Sequence, residues 1–199
     1  EWFNDPDSPE PKMISSRVPL SDTWKAMESL KENNLTKHIG ICNYSSGLLH
    51  DLMNYCETKP EILQIESHPY LTQEKLIRLA KDYGLEVTAF SPLGSLSYEE
   101  LGGAEESESI LKNETVQSIS KDLGITPAQL ILGWGLNRGT SIVVKSTNEI
   151  RMKENLAASR IQLQQSIIDK ISALNKNKRY NDPGIFCENA FNTVFPIYE

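Results

Sequence analysis

Cysteines are few in this chain, and a long apolar run is missing from it. The three cysteines, Cys42, Cys56 and Cys187, are an odd number without metal-ligand spacing. They indicate reduced thiols, and they exclude a disulfide framework and a zinc site. No apolar run approaches the roughly 20 residues that a membrane span needs, and the acidic start does not resemble a signal peptide. The sequence therefore predicts a soluble, cytoplasmic protein without a membrane partner.

Positive charge is also scarce. The 199 residues carry 20 Lys and Arg against 27 Asp and Glu, and the net charge is -7. A general nucleic-acid binder needs clustered cations to neutralise phosphates, whereas the basic residues here are dispersed. This composition excludes nucleic acid as a partner. The length and the 39% hydrophobic content fit one domain, residues 1–199, with a sizeable core.

Strands and helices alternate along the chain. Short apolar strands are predicted near Ile39, Ile62, Val87 and Ile142, and each is followed by a helical pattern. This α/β order predicts a parallel sheet with right-handed crossovers. Two architectures fit, an open doubly wound sheet and part of a (β/α)₈ barrel. The absence of a glycine-rich dinucleotide fingerprint after any strand disfavours the first.

Two helix boundaries are well marked. Thr126, Pro127 and Gln129 combine an N-cap, a proline at the first helical position and a capping-box glutamine. They predict a helix that runs to Asn137. Gly84 is predicted to be the left-handed stop of an earlier helix.

Three segments are predicted to be irregular. Residues 1–19 hold four of the ten prolines and form a loop. Residues 95–108 are rich in Glu, Ser and Gly and are longer than an α/β connection needs, which suggests a mobile flap. Residues 175–199 form a tail with a turn at residues 181–184.

Residues 143–155 carry a candidate anion site. The β-branched run 140–144 predicts a strand buried on both faces, Lys145 follows it, and any of residues 146–148 can cap the next helix. A helix start has free N–H groups and a positive dipole end, and Arg151 can reach the same point as Lys145. This arrangement suits a phosphate. The alternative is that both cations only solvate a strand end and a helix face.

The four predicted strands share a change in residue type at their ends. Each becomes polar or aromatic after an apolar run, as functional residues do at the strand ends of a barrel. The segments are residues 42–44, 64–69, 90–94 and 145–146.

These segments resemble the aldo-keto reductase family, in the family's order. The resemblance runs from about Val18 to the end of the chain, and residues 179–183 and 195–197 are most similar to the xylose (aldose) reductase branch. It rests on residues 24–28, 39–44, 63–70, 88–94 and 145–155. It implies a (β/α)₈ barrel that reduces carbonyl groups with NADPH, and NADH is also compatible.

The resemblance implies that this chain carries strands five to eight, extra helices and the C-terminal tail of such a barrel. The family's catalytic aspartate, tyrosine, lysine and histidine lie on the first four units, so no catalytic residue is predicted here. His38, His50 and His68 are interpreted as structural. The missing N-terminal half of the barrel is therefore an expected partner.

The resemblance also implies contacts to the nicotinamide. Asn43 matches the asparagine that binds the carboxamide, and Gln64 matches its glutamine partner. Phe90 matches an aromatic residue, usually tyrosine, that stacks on the ring. Cys42 stands where the family usually has serine. Alternatively, Gln64 is a satisfied core amide and Phe90 fills the barrel.

Other matched positions belong to the phosphates, the adenine and the substrate. Residues 95–108, the belt segment, would cover the pyrophosphate. Leu93 could alternatively be a core residue without a ligand contact. The matches are Ser91, Leu93 and Ser95 at the pyrophosphate, Lys145, Ser146 and Arg151 at the 2'-phosphate, and Glu154 and Asn155 at the adenine. Candidate residues for lining a pocket for a small carbonyl substrate are Phe186, Cys187, Asn189 and Phe191.

Three functions remain open from the sequence. The chain is the cofactor-binding part of a reductase that transfers a hydride to a carbonyl carbon, an NADPH-binding half barrel without catalysis, or an interaction fragment without a ligand. A half barrel exposes two sheet edges and an open interior, which favours association.

Overall fold

The computed structural model describes residues 16–99, 104–191 and 193–198. The predicted loop over residues 1–19 lies mostly outside these ranges, and residues 16–19 belong to no helix or strand. The described part is an α/β fold in which strands and helices alternate, as the sequence predicts.

Four parallel strands form one sheet in the order β1-β2-β3-β4. Their positions are β1 Gly40–Cys42, β2 Ile62–Glu66, β3 Glu86–Phe90 and β4 Ser141–Ile142. Leu63 pairs with Ile41 on one side and with Val87 on the other, and Ala89 pairs with Ile142. All four strands end at the same edge of the sheet because they are parallel.

Nine helices are found in the described ranges. They are α1 Leu20–Glu32, α2 Ser46–Tyr55, α3 Glu74–Asp82, α4 Leu96–Glu99, α5 Glu114–Leu123, α6 Pro127–Asn137, α7 Glu149–Ala157, α8 Gln165–Ser172 and α9 Pro183–Phe191. Three short 3₁₀ turns cover Glu106–Glu108, Ile110–Lys112 and Ala158–Arg160.

Local signals set the helix boundaries where the sequence predicts them. The Thr126 side chain accepts from the Gln129 N–H, and the Gln129 side chain accepts from the Thr126 N–H, so the capping box at α6 is confirmed. Gly84 follows α3 with φ of 84°, the left-handed conformation that glycine adopts without steric cost.

The two faces of the sheet differ in burial. Leu63, Ile65 and Val87 are buried in a core with side chains of α1, α2 and α3. Side chains alternate along a strand, so the residues between them point to the other face. There Ile62 is 37% exposed, and Gln64 is only half-buried. Among the described residues, this second face of the sheet is open except at Glu66, which residues 180 and 181 cover.

A second core lies under the later helices. It is built mainly from α5, α6 and α8, and its buried members are Tyr70, Ile110, Val116, Leu130, Ile131, Trp134, Ile168 and Ile171. The two cores hold the sheet and its carboxyl edge in place.

The strand predicted over residues 140–144 differs from expectation. Only Ser141 and Ile142 form β4, and Val143 is 53% exposed, although its N–H donates to the carbonyl of Ala89. β4 is an edge strand of the described sheet, so its outer side lacks the neighbour that would bury it. The prediction of a strand covered on both faces was wrong.

Two segments predicted to be irregular contain helices. Residues 95–108 include α4 and a 3₁₀ turn, with residues 100–103 outside the described part. The tail 175–199 includes α9, so the prediction of an irregular tail was wrong. Pro183 and Gly184 are poor formers of helix interiors and indicated a turn, but proline is well tolerated at the first helical position, where it stands here.

No helix in the described ranges combines the length and the apolar character that a membrane crossing requires.

Candidate functional site

Two strands end in sharp turns at the carboxyl edge of the sheet. Asn43 directly follows β1 with φ of 60°, and Ser91 directly follows β3 with φ of 47°. A left-handed backbone is uncommon outside glycine, and such residues cluster at ligand sites. The turns place polar residues where the strands stop.

Asn43 has an unsatisfied acceptor. Its N–H donates to the carbonyl of Gln64 at 2.9 Å, which joins the ends of β1 and β2. Its Oδ1 atom is buried and has no hydrogen-bond partner among the described residues. A buried amide oxygen without a donor is costly, so this atom suits a donor that a ligand would bring.

The side chains of the segment after β3 form hydrogen bonds with one another. Ser91 Oγ lies 2.9 Å from the Tyr98 hydroxyl, and Ser95, fully buried, donates to Glu99 Oε1 at 2.7 Å. Leu93 is partly buried and packs against the second core. The core interpretation of Leu93 is thus supported, and the Ser95 hydroxyl has a partner within the protein.

Phe90 and Gln64 lie on neighbouring strands. Phe90 is the last residue of β3 and pairs with Glu66, while Gln64 pairs with Cys42 on one side and Thr88 on the other. Both are half-buried. The structure thereby brings Asn43, Gln64 and Phe90 to one end of the sheet.

The start of α7 is capped by Asn148. The Asn148 Oδ1 accepts from the Arg151 N–H at 3.1 Å, and Ser146 Oγ accepts from the Asn148 N–H at 3.2 Å. Of the three candidate caps, Asn148 is therefore the one used. The side chains of Lys145 and Arg151 are exposed and form no ion pair within the described ranges.

The two predicted adenine residues lie in the middle of α7. Glu154 and Asn155 are half-buried, and the Glu154 carbonyl accepts from Gln129 Nε2 of α6 at 3.2 Å. This contact ties α7 to α6 but leaves the Glu154 carboxylate outside the hydrogen bond.

A cavity of about 690 Å³ opens beside Asn43, between the starts of α2 and α3. Gln73, Asn175, Arg179 and Tyr198 are among its other lining residues. Of the predicted cofactor residues, Asn43 alone lines this cavity. Gln64, Phe90, Lys145 and Arg151 do not line it.

Predicted substrate residues lie on α9. Phe186 is 51% exposed and Cys187 is 5% exposed. Asn189 and Phe191 belong to the same helix, but their side chains lie outside the described part.

Glu66 is a buried charged residue that the sequence reasoning missed. Its side chain is fully buried at the end of β2, where it accepts hydrogen bonds from the main-chain N–H groups of Tyr180 at 2.8 Å and Asn181 at 3.0 Å. His68 Nε2 lies 3.0 Å from the same carboxylate, and Arg179 lies 3.7 Å away. The available signal was a glutamate ending an apolar strand, with a histidine two residues later.

Burial shifts two ionisable groups near these strand ends. Burial raises the pKa of the Cys42 thiol above its ordinary value. Burial also raises the pKa of Tyr180 to about 12, helped by the nearby Tyr70, Glu66 and Glu99. Both groups are therefore protonated near neutral pH.

No cluster of three or more His, Cys, Asp or Glu side chains suited to a metal ion occurs in the described part of the chain.

Comparison with known proteins identifies a consistent set of relatives. The model of the Aldo/keto reductase family matches residues 3–176. A probable NAD(P)H-dependent D-xylose reductase of Arthroderma otae is 42% identical over 200 residues, which cover 100% of this chain and 58% of the relative. Its counterpart in Aspergillus clavatus is 40% identical over 184 residues, or 92% of this chain and 54% of the relative. The chain spans about half the length of these curated relatives.

Solved structures agree with this set. An aldose reductase from Giardia lamblia superposes with a TM-score of 0.80 at 33% identity, covering 98% of this chain and 64% of that one. An aldose reductase from Schistosoma japonicum has a TM-score of 0.76 at 31% identity, covering 88% and 53%.

Proposed function

Since the chain belongs to the aldo/keto reductase family, we propose that it takes part in the NAD(P)H-dependent reduction of an aldehyde or ketone by holding the cofactor. The observation that carries the proposal is the buried Oδ1 of Asn43, which has no partner among the described residues and stands next to Gln64 at the carboxyl end of a parallel sheet. Functional groups of barrel enzymes gather at this end. The names of the curated relatives, NAD(P)H-dependent D-xylose reductases, suggest an aldose sugar as the substrate class.

Asn43 and Gln64 hold the nicotinamide carboxamide in this proposal. A carboxamide has both donors and acceptors, and two neutral amides complement it without introducing a charge. The free Oδ1 of Asn43 takes its N–H, and Phe90 offers an aromatic face at the end of the next strand. The bound cofactor supplies the hydride for the carbonyl carbon.

Lys145, Ser146 and Arg151 hold the adenosine 2'-phosphate. The two cations are exposed, and neither is neutralised by a carboxylate in the described ranges. They stand at the positive end of α7, where an anion is favoured, and guanidinium can bind phosphate through two hydrogen bonds. Glu154 and Asn155 lie further along the same helix, toward the adenine.

The belt and the tail complete the site. The Ser95 hydroxyl already donates to Glu99, so we assign the pyrophosphate contact to the main chain at Ser91 and Ser95. Leu93, between them, packs against the second core. We assign the substrate side to α9, the helix that carries Phe186, Cys187, Asn189 and Phe191.

The sheet corresponds to strands five to eight of a (β/α)₈ barrel. Support comes from its open face, which carries Cys42, Gln64, Thr88 and Phe90 as the interior of a barrel would. The proton donor for the carbonyl oxygen, a tyrosine in this family's pattern, then belongs to the other four strands. On this proposal the 199-residue chain binds NADPH but does not reduce a carbonyl by itself.

Titration with NADPH and NADH tests the phosphate assignment. Replacing both Lys145 and Arg151 with alanine should lower the affinity for NADPH by roughly tenfold or more, since hydrogen bonds to charged groups are strong. The affinity for NADH should stay nearly unchanged. Tryptophan fluorescence reports binding. The matched control is Lys153→Ala, which removes a cation from the same helix that is paired with Glu149. Equal losses for both cofactors would overturn the assignment.

A turnover assay separates the enzyme from a binding module. NADPH absorbance is followed with D-xylose for the chain alone and for the chain mixed with the first four β/α units of a relative. NADPH oxidation that appears only in the mixture supports a cofactor-holding half. Binding without turnover in both samples supports the non-catalytic alternative.

A further inference from the structure

The Glu66 carboxylate is buried but well supplied with donors. Moving a carboxylate out of water is costly unless hydrogen bonds and opposite charge replace the water. Three of its four partners belong to residues 179–181, namely two main-chain N–H groups that donate hydrogen bonds and the Arg179 guanidinium, which forms an ion pair at 3.7 Å. The fourth is His68, two residues further along its own segment. The tail thus satisfies most of this charge.

The Tyr180 side chain packs close to the Glu66 carboxylate and contacts three neighbouring residues. Its ring centroid lies 5.3 Å from that of His68 and 5.9 Å from that of Tyr98, onto which it stacks. Its hydroxyl donates to the carbonyl of Glu108 at 3.3 Å. The tail is thereby packed between the end of β2 and the belt segment.

The anchored residues lead directly into α9. Asn181 donates to Glu66, and α9 begins two residues later at Pro183. The Phe186 N–H in turn donates to the carbonyl of Asp182 at 3.3 Å. The residues that Glu66 holds are therefore the ones from which α9 starts.

We propose that Glu66 is a positioning residue whose buried carboxylate fixes residues 179–181 at the end of β2 and thereby sets where α9 begins. Its functional meaning rests on the proposed function, because that proposal makes α9 the substrate side of the site. Glu66 itself contacts neither substrate nor cofactor, since its side chain is 0% exposed and its oxygens are occupied by donors of the chain.

Hydrogen exchange of the Tyr180 and Asn181 amides in the 199-residue chain tests this proposal. Glu66→Gln keeps the size of the side chain but removes the charge and replaces one acceptor with a donor. Both amides should exchange about tenfold faster or more, because hydrogen bonds to a charged group are lost. Amides of β2 and β3 should keep their protection. Glu61→Gln is the control, since it removes an exposed carboxylate paired with Lys31 and His38.

A conservative variant separates a charge clamp from simple packing. Glu66→Asp keeps the charge but is shorter by one methylene group, so a clamp predicts a smaller increase in exchange than Glu66→Gln causes. A packing role predicts the reverse order, because glutamine preserves the volume. That reverse order, or an unchanged exchange rate in Glu66→Gln, would overturn the proposal.

Loss of protection throughout β2 and β3 in Glu66→Gln would mean that the chain has lost its fold. Arg179→Met then decides, because it removes the ion-pair partner of Glu66, and the Arg179 side chain is 20% exposed. Faster exchange at residues 180 and 181 supports the clamp, and unchanged exchange overturns it. NADPH titration of the wild-type chain is independent of this result, so failure of cofactor binding is distinguishable from failure of the clamp.

Discussion

Asn43 and Asn34 share a left-handed backbone, with φ of 60° and 56°, but their side chains have different surroundings. Asn34 is exposed in the turn after α1, whereas Asn43 buries an acceptor at the end of β1. The same backbone conformation therefore serves a surface turn in one case and a candidate ligand contact in the other.

Asn43→Gly should weaken the binding of NADPH and of NADH to the same extent. Glycine adopts the left-handed conformation freely, so the substitution removes the amide without straining the turn. One lost hydrogen bond predicts a fall in affinity of roughly fivefold to tenfold, measured by fluorescence titration. Asn34→Gly should leave both affinities unchanged. Unaltered binding in Asn43→Gly would remove Asn43 from the site.

Tyr180 should be among the last phenols to ionise in the folded chain. Its pKa is raised to about 12 from an ordinary value of 10.0, first by burial and then by nearby Tyr70 and Glu66. The folded state holds this proton more tightly than the unfolded state. The resulting stability is present below about pH 10 and is lost as the pH rises through about 12.

Alkaline titration monitored by phenolate absorbance checks this expectation. Tyr180→Phe should remove a late-ionising component from the titration. The free energy of unfolding, measured by urea denaturation, should then fall less steeply with pH above about 10. A late component that persists unchanged in Tyr180→Phe would assign the shift to another tyrosine.

At the scale of elements, α6 depends on its start. Six of its residues, from Leu130 to Gly135, are buried, and it packs against α5, α7 and α8. Its capping box satisfies N–H groups that the helix cannot pair internally. The start of α6 therefore contributes to the stability of the second core.

Thr126→Ala should lower the free energy of unfolding by about 1 kcal/mol, as is typical for the loss of an N-cap. Urea denaturation measures the change. Thr126→Ser keeps the hydroxyl and should retain most of the stability. Equal losses in the two variants would show that the threonine methyl group, and not the cap, stabilises α6.

On the scale of the whole molecule, the described sheet ends in β1 on one side and β4 on the other. Its open face and its edges expose apolar side chains such as Ile62 and Val143. Unpaired edges and exposed apolar surface favour pairing with another chain.

The 199-residue chain should therefore associate as its concentration rises, which sedimentation velocity measures. Val143→Lys places a charge beside the β4 edge and should reduce the association, because edge lysines oppose strand pairing. Asp122→Lys, a charge change at an exposed position of α5 outside the sheet, is the control. A chain that stays monomeric at all concentrations would contradict the prediction.

The sequence by itself determined the features that depend on near neighbours along the chain. The alternation of strands and helices, the capping box at Thr126, the left-handed Gly84, the polar strand end at Asn43 and the aromatic one at Phe90 each follow from a few consecutive residues. Those local patterns, in their order, also carried the family resemblance. They did not reveal α9, since Pro183 and Gly184 suit a turn as well as a helix start.

Only the tertiary structure decided the features that join distant parts of the chain. Tyr180 donates to Glu66 across 114 positions of sequence, so no local pattern indicates that this buried carboxylate holds the tail. The same holds for the exposure of Val143, which depends on the lack of a described neighbour beyond β4, and for the unpartnered Oδ1 of Asn43. Burial and hydrogen-bond satisfaction depend on which atoms meet in space, and that is set by packing.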